Sequence, residues 1–290
     1  MLTVARPQFI TRAPRDVAAW VRCFELAAVP ILTETADRIE ELRECQDDVD
    51  ARTLSNVIER DPLMTLKVLG HVAALRRGRG RGGSDTDTET ATETATESLV
   101  MLGITPFFTA FGPQPTVEEI LADEPEAFEG FMRVLTRAHR AANFAVSFAA
   151  HRMDHDAAVI HEAALLHDFA EMLLWVRAPS LALQIQQRQT LDSSLRSADV
   201  QRQLLNTELA DLQQALMRSW RLPELLVRIT DDQHAETVQV RNVLLAIRVA
   251  RHSATGWDNA ALPDDMVDIA NLLNMGVLPT QRLLHEVDGS

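Results

Sequence analysis

Residues 163–169 read AALLHDF, an apolar helical run that ends in adjacent imidazole and carboxylate groups, His167 and Asp168. Side chains next to each other on one helix project about 100° apart, so a metal centre on this pair needs ligands from other helices as well. His139, on the long helix before it, reaches the same centre if the two helices pair antiparallel. A third helix would have to add one more carboxylate or histidine. Chemistry elsewhere is restricted: the chain has nine histidines, a single lysine, Lys67, and no tyrosine. A Walker loop, a Schiff base and a lysine general base are therefore excluded unless built on Lys67.

Outward from this stretch the apolar spacing is helical nearly everywhere, which predicts an all-α fold. Upstream, the long helix is expected over about Glu126–Arg152, with Phe128, Phe131, Val134, Ala142 and Phe148 on its apolar side. Asp156 reads as the N-cap of a helix running through the HD pair to Val176, where Pro179 ends it. Downstream, helices are expected at about Asp199–Trp220, Pro223–Asp232, Glu236–Thr255 and Pro263–Asn274, with a short one after Pro279. In the N-terminal part, Asp16–Ala28 carries Val17, Trp20, Val21, Phe24 and Leu26, and two further short helices follow. Asp61-Pro62 places an N-cap before a proline at the first helical position and opens Leu63, Met64, Leu66, Val68, Leu69 and Val72.

The pattern breaks at 76–98. Arg76, Arg77, Arg79 and Arg81 alternate with glycines, and Ser84–Ser98 holds six threonines and five acidic residues without a large apolar side chain. Such a stretch cannot offset the backbone entropy lost on ordering, about 1–2 kcal/mol per residue, so a mobile loop is expected. Prolines at 106, 113, 115 and 125 punctuate 105–125 and suggest the boundary between an N-terminal lobe, 1–123, and a second lobe, 124–290.

Charge narrows the partners. With 28 basic and 42 acidic residues the formal charge is −14. There are 13 basic and 20 acidic residues up to residue 123, and 15 and 22 after it, so no basic domain hides inside the acidic average. This argues against a nucleic-acid binder that works by phosphate neutralisation, and the four loop arginines beside an acidic tract are expected to be self-compensating. Two cysteines, Cys23 and Cys45, are too few for a disulfide framework and point to a reducing cytoplasm. No window is apolar enough to span a membrane, and the first residues lack a signal-peptide core.

Several stretches, taken in order, resemble one family. AALLHDFAEMLLW looks like the HD-containing helix of HD-superfamily proteins, and RAHRAANFAVSFAA is similar to the helix that supplies their first metal-binding histidine. AVPILTETADRIEEL followed by IERDPLMTLKVLGHVA resembles the opening of the HDOD domain. ESLVMLGI and SWRLPELLVRITDDQH are similar to later segments of the same domain, so the resemblance covers about residues 25–275. It implies a two-lobed, all-helical bacterial regulatory module, related to metal-dependent HD phosphohydrolases.

The departures from that pattern bear on mechanism. His139, His167 and Asp168 match the first three metal positions of active relatives, but the last aspartate aligns with Arg251. A guanidinium has no lone pair to donate to a metal and brings positive charge to its site. Glu171, Asn206 and Ala73 also replace residues common in the family, and the histidine run after the Leu-Pro segment is reduced to His234. The resemblance thus implies a degenerate metal site with no cofactor and no catalysis, and partners that are a signalling protein or a small signalling ligand. The alternative is a residual metal-dependent phosphohydrolase acting on a nucleotide or cyclic dinucleotide. Arg251 is expected to serve as counter-ion to Asp168 in a buried pair, whose loss would cost about 3–5 kcal/mol with or without metal. The Asp231-Asp232 pair next to His234 is expected to be a solvated turn, and Trp20, Trp175, Trp220 and Trp257 to be core anchors.

Overall fold

The computed structural model describes residues 8–80, 92–192, 195–232 and 236–289. Among these residues the regular structure is helical, and the only β-type pairing is an isolated parallel bridge between Ile31 and Thr116. The first helices are α1 (Val17–Val21), α2 (Thr33–Glu44), α3 (Ala51–Ile58), α4 (Pro62–Gly80), α5 (Ala95–Leu102), α6 (Ile104–Ala110) and α7 (Val117–Ile120). They are followed by α8 (Pro125–His151), α9 (Ala157–Leu166), α10 (Phe169–Arg177), α11 (Pro179–Leu191), α12 (Ser197–Leu205) and α13 (Leu209–Trp220). The last are α14 (Glu224–Ile229), α15 (Val238–His252), α16 (Leu262–Leu273) and α17 (Val277–Asp288).

Two compact units emerge, and each is assembled from two separated stretches: Met1–Arg133 with Asp168–Pro223, and Val134–His167 with Glu224–Ser290. The lobe boundary expected at 123/124 falls inside the first unit. Long-range contacts at the N-terminus explain why the unit reaches past it. Trp20 is fully buried and donates its indole N–H to Leu205 O at 2.8 Å. Asn206 donates to Pro14 O at 3.0 Å, Ile10 N donates to Arg177 O at 2.7 Å, and α1 packs on α13. Trp20 reads from the sequence as an anchor, but a distant carbonyl partner leaves no local spacing signal.

Several boundaries differ from the expected ones for identifiable reasons. The first expected helix stops after Val21, and a 3-10 turn over Leu26–Ala28 carries the chain onward. The proline-marked 105–125 segment contains α6 and α7; Thr116 closes a capping box with Glu119 at the start of α7, so proline only punctuates the segment there. α4 runs on through Gly80 and α5 starts at Ala95, which confines the expected loop to a shorter interval. Arginine favours helix enough to carry α4 past Gly78, whose cost is about 1 kcal/mol. The remainder of that loop, residues 81–91, lies outside the described residues. The helix expected over Asp199–Trp220 is two helices, because Asn206 adopts φ 58° and ends α12; asparagine tolerates this left-handed conformation better than most residues.

The core of the first unit gathers Ile31, Ile39, Leu42, Leu54, Ile58, Met64, Val68, Leu99, Phe107 and Phe111 from α2 to α6. Its polar anchor is Asp61, which is fully buried. One carboxylate oxygen caps α4 by accepting from Leu63 N at 2.9 Å and Met64 N at 3.1 Å, and the other accepts from Leu32 N at 2.7 Å. Burial pushes the Asp61 carboxyl above its ordinary range, while these donors and the Thr35 hydroxyl pull it back. Lys67, 3% exposed, lies one to two turns further along α4 and donates to Val29 O at 2.6 Å and Ala27 O at 3.0 Å. Gly70 follows on the same side, where a Cβ would meet the tip of the Leu26 side chain and make it shift.

Lys67 has an unusual titration. Burial lowers its pKa from 10.5 to about 8, and Asp61 only partly offsets this. Between those values the unfolded chain holds a proton that the folded chain has released, so stability should rise with pH from about 8 to 10.5, by roughly 2–3 kcal/mol. The chain has no tyrosine and no other lysine to add a comparable slope in this range. Urea unfolding of the wild type should show the rise, and Lys67→Met should lose most of it; equal slopes in the two proteins would disprove the assignment.

Candidate functional site

The HD pair sits at a joint between helices. The apolar run of α9 stops at Leu166, and His167 is its C-cap, with its backbone N–H on Ala164 O. Asp168 has φ −107° and ψ 20° and is the N-cap of α10; its carbonyl accepts from Glu171 N and Met172 N. This breaks the single helix expected over Asp156–Val176. Tertiary packing prevails over propensity here, since every residue of Ala163–Leu166 and of Phe169–Ala170 is buried on both sides of the joint. His167 and Asp168 themselves are half-buried, and the division between the two compact units passes between them.

His167 is 12% exposed and its Nε2 lies 2.9 Å from Asp232 Oδ1, in the turn after α14. α14 packs on α9, which delivers the carboxylate to the imidazole. Asp232 lies in an exposed turn, as expected, and there it also contacts the HD histidine. The sequence signal was the Asp231-Asp232 pair straight after the Leu-Pro helix, yet no helical period links position 232 to position 167. His234, in the same turn, lies outside the described residues.

The remaining expected positions do not complete a metal centre. His139 is half-buried on α8. Among the described residues no three His, Cys, Asp or Glu side chains converge as metal ligands. Arg251 is exposed in the last turn of α15, not buried as expected, so an energy of 3–5 kcal/mol does not apply to its hydrated guanidinium.

The stretch around Arg251 has a different task. Asp265, completely buried on α16, takes His252 Nδ1 at 2.5 Å on one oxygen and Arg248 at 2.6 Å on the other. The guanidinium comes within ion-pair distance of Oδ1 without donating an aligned hydrogen bond to it, so the contact is Coulombic. Arg248 and His252 stand four residues apart, on one face of α15, and clip that helix to α16. Nearby, Arg140 on α8 donates to Ala250 O, the Ser253 hydroxyl and both oxygens of Asp288. In the sequence Asp265 reads only as an acidic residue in the first turn after Pro263; its partners are thirteen or more residues away.

The other expected residues behave plainly. Trp20, Trp175 and Trp220 are buried, while Trp257 is half-exposed and stacks on His285 at 4.3 Å. Cys23 and Cys45 are free thiols, the first half-buried and the second exposed. No described helix is long and apolar enough to cross a membrane.

An all-helical chain with an HD pair at a helix joint and an Asp-Pro-capped helix upstream belongs to the HD-related class. Its family is more specific: the HDOD domain model matches residues 29–236, and the chain belongs to the HDOD family. Among solved structures it is similar to the MmoQ response regulator from Methylococcus capsulatus, with TM-score 0.66 at 20% identity over 89% of this chain and 98% of that one. It is also similar to a virulence factor from Campylobacter jejuni, with TM-score 0.59 at 14% identity over 92% and 97% of the two chains. At these identities the likeness establishes the fold. No curated protein matches the sequence.

The two charged positions should separate in a stability measurement. Asp265→Ala removes the clip and the carboxylate partner of His252, while Arg248 keeps Asp268 at 3.0 Å, and should cost about 2–3 kcal/mol in urea unfolding. Arg251→Ala removes an exposed charge and should cost less than about 1 kcal/mol. Losses of equal size would return Arg251 to a buried structural role.

Proposed function

We propose that this chain is a non-catalytic regulatory HDOD module of the bacterial cytoplasm, which acts by binding a signalling protein or a small signalling molecule. The observation that carries this reading is the HDOD family match over residues 29–236. Aligned with active relatives, Arg251 stands at the position of their last ligand, and a guanidinium offers no lone pair to hold the metal that generates a hydroxide. Family membership supports the regulatory part of the reading, and so does the name of the MmoQ response regulator. The acidic charge of both halves of the sequence speaks for protein or small-molecule partners over nucleic acid.

The test is metal content together with turnover. Purified chain supplied with Mn, Fe, Mg or Zn should retain less than stoichiometric metal, and should release neither phosphate nor linear dinucleotide from a panel of nucleotides and cyclic dinucleotides. Stoichiometric metal that is lost in His167→Ala, together with product release, would overturn the proposal in favour of a phosphohydrolase. Affinity capture with the folded chain as bait identifies the partner class.

A further inference from the structure

The first compact unit carries a groove that plays no part in the HD joint. It encloses about 490 Å³ and is lined by Glu126, Glu129 and Arg133 of α8 and by Leu183, Gln187 and Leu191 among the residues of α11. Both walls follow helical spacing: 126, 129 and 133 share one face of α8, and 183, 187 and 191 share one face of α11. Trp175, 4% exposed, lays its ring on Gly130, where a Cβ would come within 2.5 Å of the indole carbons.

The lining has an uneven chemistry. Leu191 is 87% exposed, far more than a leucine needs to be on a helix that buries Leu181, Ala182 and Ile185. Glu126 and Glu129 are exposed, and Glu129 faces Arg133 only loosely, at 3.8 Å, the kind of surface pair that an incoming cation displaces at little cost. Glu126 has no ion pair among the described residues. The groove thus offers apolar leucines on one wall, carboxylates on the other and side-chain amides from Gln186 and Gln187 that can hydrogen-bond a peptide backbone. A chain of charge −14 adds a long-range field that draws cations towards it.

We infer that this groove docks a basic, amphipathic protein segment, with arginine or lysine side chains against Glu126 and Glu129 and an apolar side chain between Leu183 and Leu191. The inference gives the binding partner of the regulatory reading a chemistry, and it rests on that reading for its biological sense only. A chain that proved to turn over nucleotides and still bound the segment would leave the groove standing.

The probe is a fluorescein-labelled octapeptide of alternating arginine and leucine, titrated with the full chain at low salt and followed by anisotropy. Glu126→Gln/Glu129→Gln should weaken binding about tenfold, and so should Leu183→Asn/Leu191→Asn, with melting temperatures checked to confirm folding. Glu34→Gln/Asp37→Asn removes the same charge from exposed positions on α2 and should leave affinity unchanged. Absent binding by the wild type, equal weakening by the α2 pair, or unchanged binding by either groove variant would each overturn the inference. Competition by spermine as strong as by the unlabelled peptide would reduce the site to charge alone and overturn it as well.

Discussion

The buried carboxylate of Asp61 is the constraint on which the first unit depends. A fully buried carboxylate is tolerated only when its oxygens are satisfied, and three backbone N–H groups from two separate segments do this here. Two of these donors belong to the first turn of α4, where the helix leaves its N–H groups unpaired. The third, Leu32 N, fixes the chain as it enters α2. One residue thus sets both the start of a core helix and the register of the segment beside it. That segment continues the bond pattern through Ile31, which pairs with Pro115 and Val117 on either side of Thr116 and so brings the start of α7 to the same place. Lys67 adds the opposite charge nearby and holds the carbonyls of the 3-10 turn before α2. The only lysine in the chain is in this way used for architecture.

The second unit follows the same logic with the roles reversed. Its buried carboxylate, Asp265, meets an arginine and a histidine from one face of the neighbouring helix instead of backbone donors. Such a clip fixes which face of α15 turns to α16. The HD histidine is engaged by the turn after α14 in the same unit.

Much of this was legible in the sequence. Helical period, the Asp61-Pro62 cap and the apolar run into His167 and Asp168 all report on contacts made within a few residues, where spacing maps directly onto geometry. The fold class and the family followed from them. The errors cluster where two distant segments compete for the same helix. The stop in α1, the break at His167-Asp168 and the split at Asn206 were hidden because propensity extends a helix until tertiary packing interrupts it. The burial expected of Arg251 and the missed partner of Asp232 have a related cause: exposure and long-range partners leave no trace in local spacing.

The sequence by itself therefore determined that the chain is helical and that Asp61 caps the helix opened by Pro62. These follow from bonds between neighbours along the chain, whose energies depend on residue type and spacing alone. Only the tertiary structure decided that Trp20 ties the N-terminus to residues near 205, that Asp232 takes the HD histidine, and that Asp265 claims Arg248 and His252. Those choices are settled by burial, because a polar group removed from water must find a partner wherever the packed chain brings one within about 3 Å.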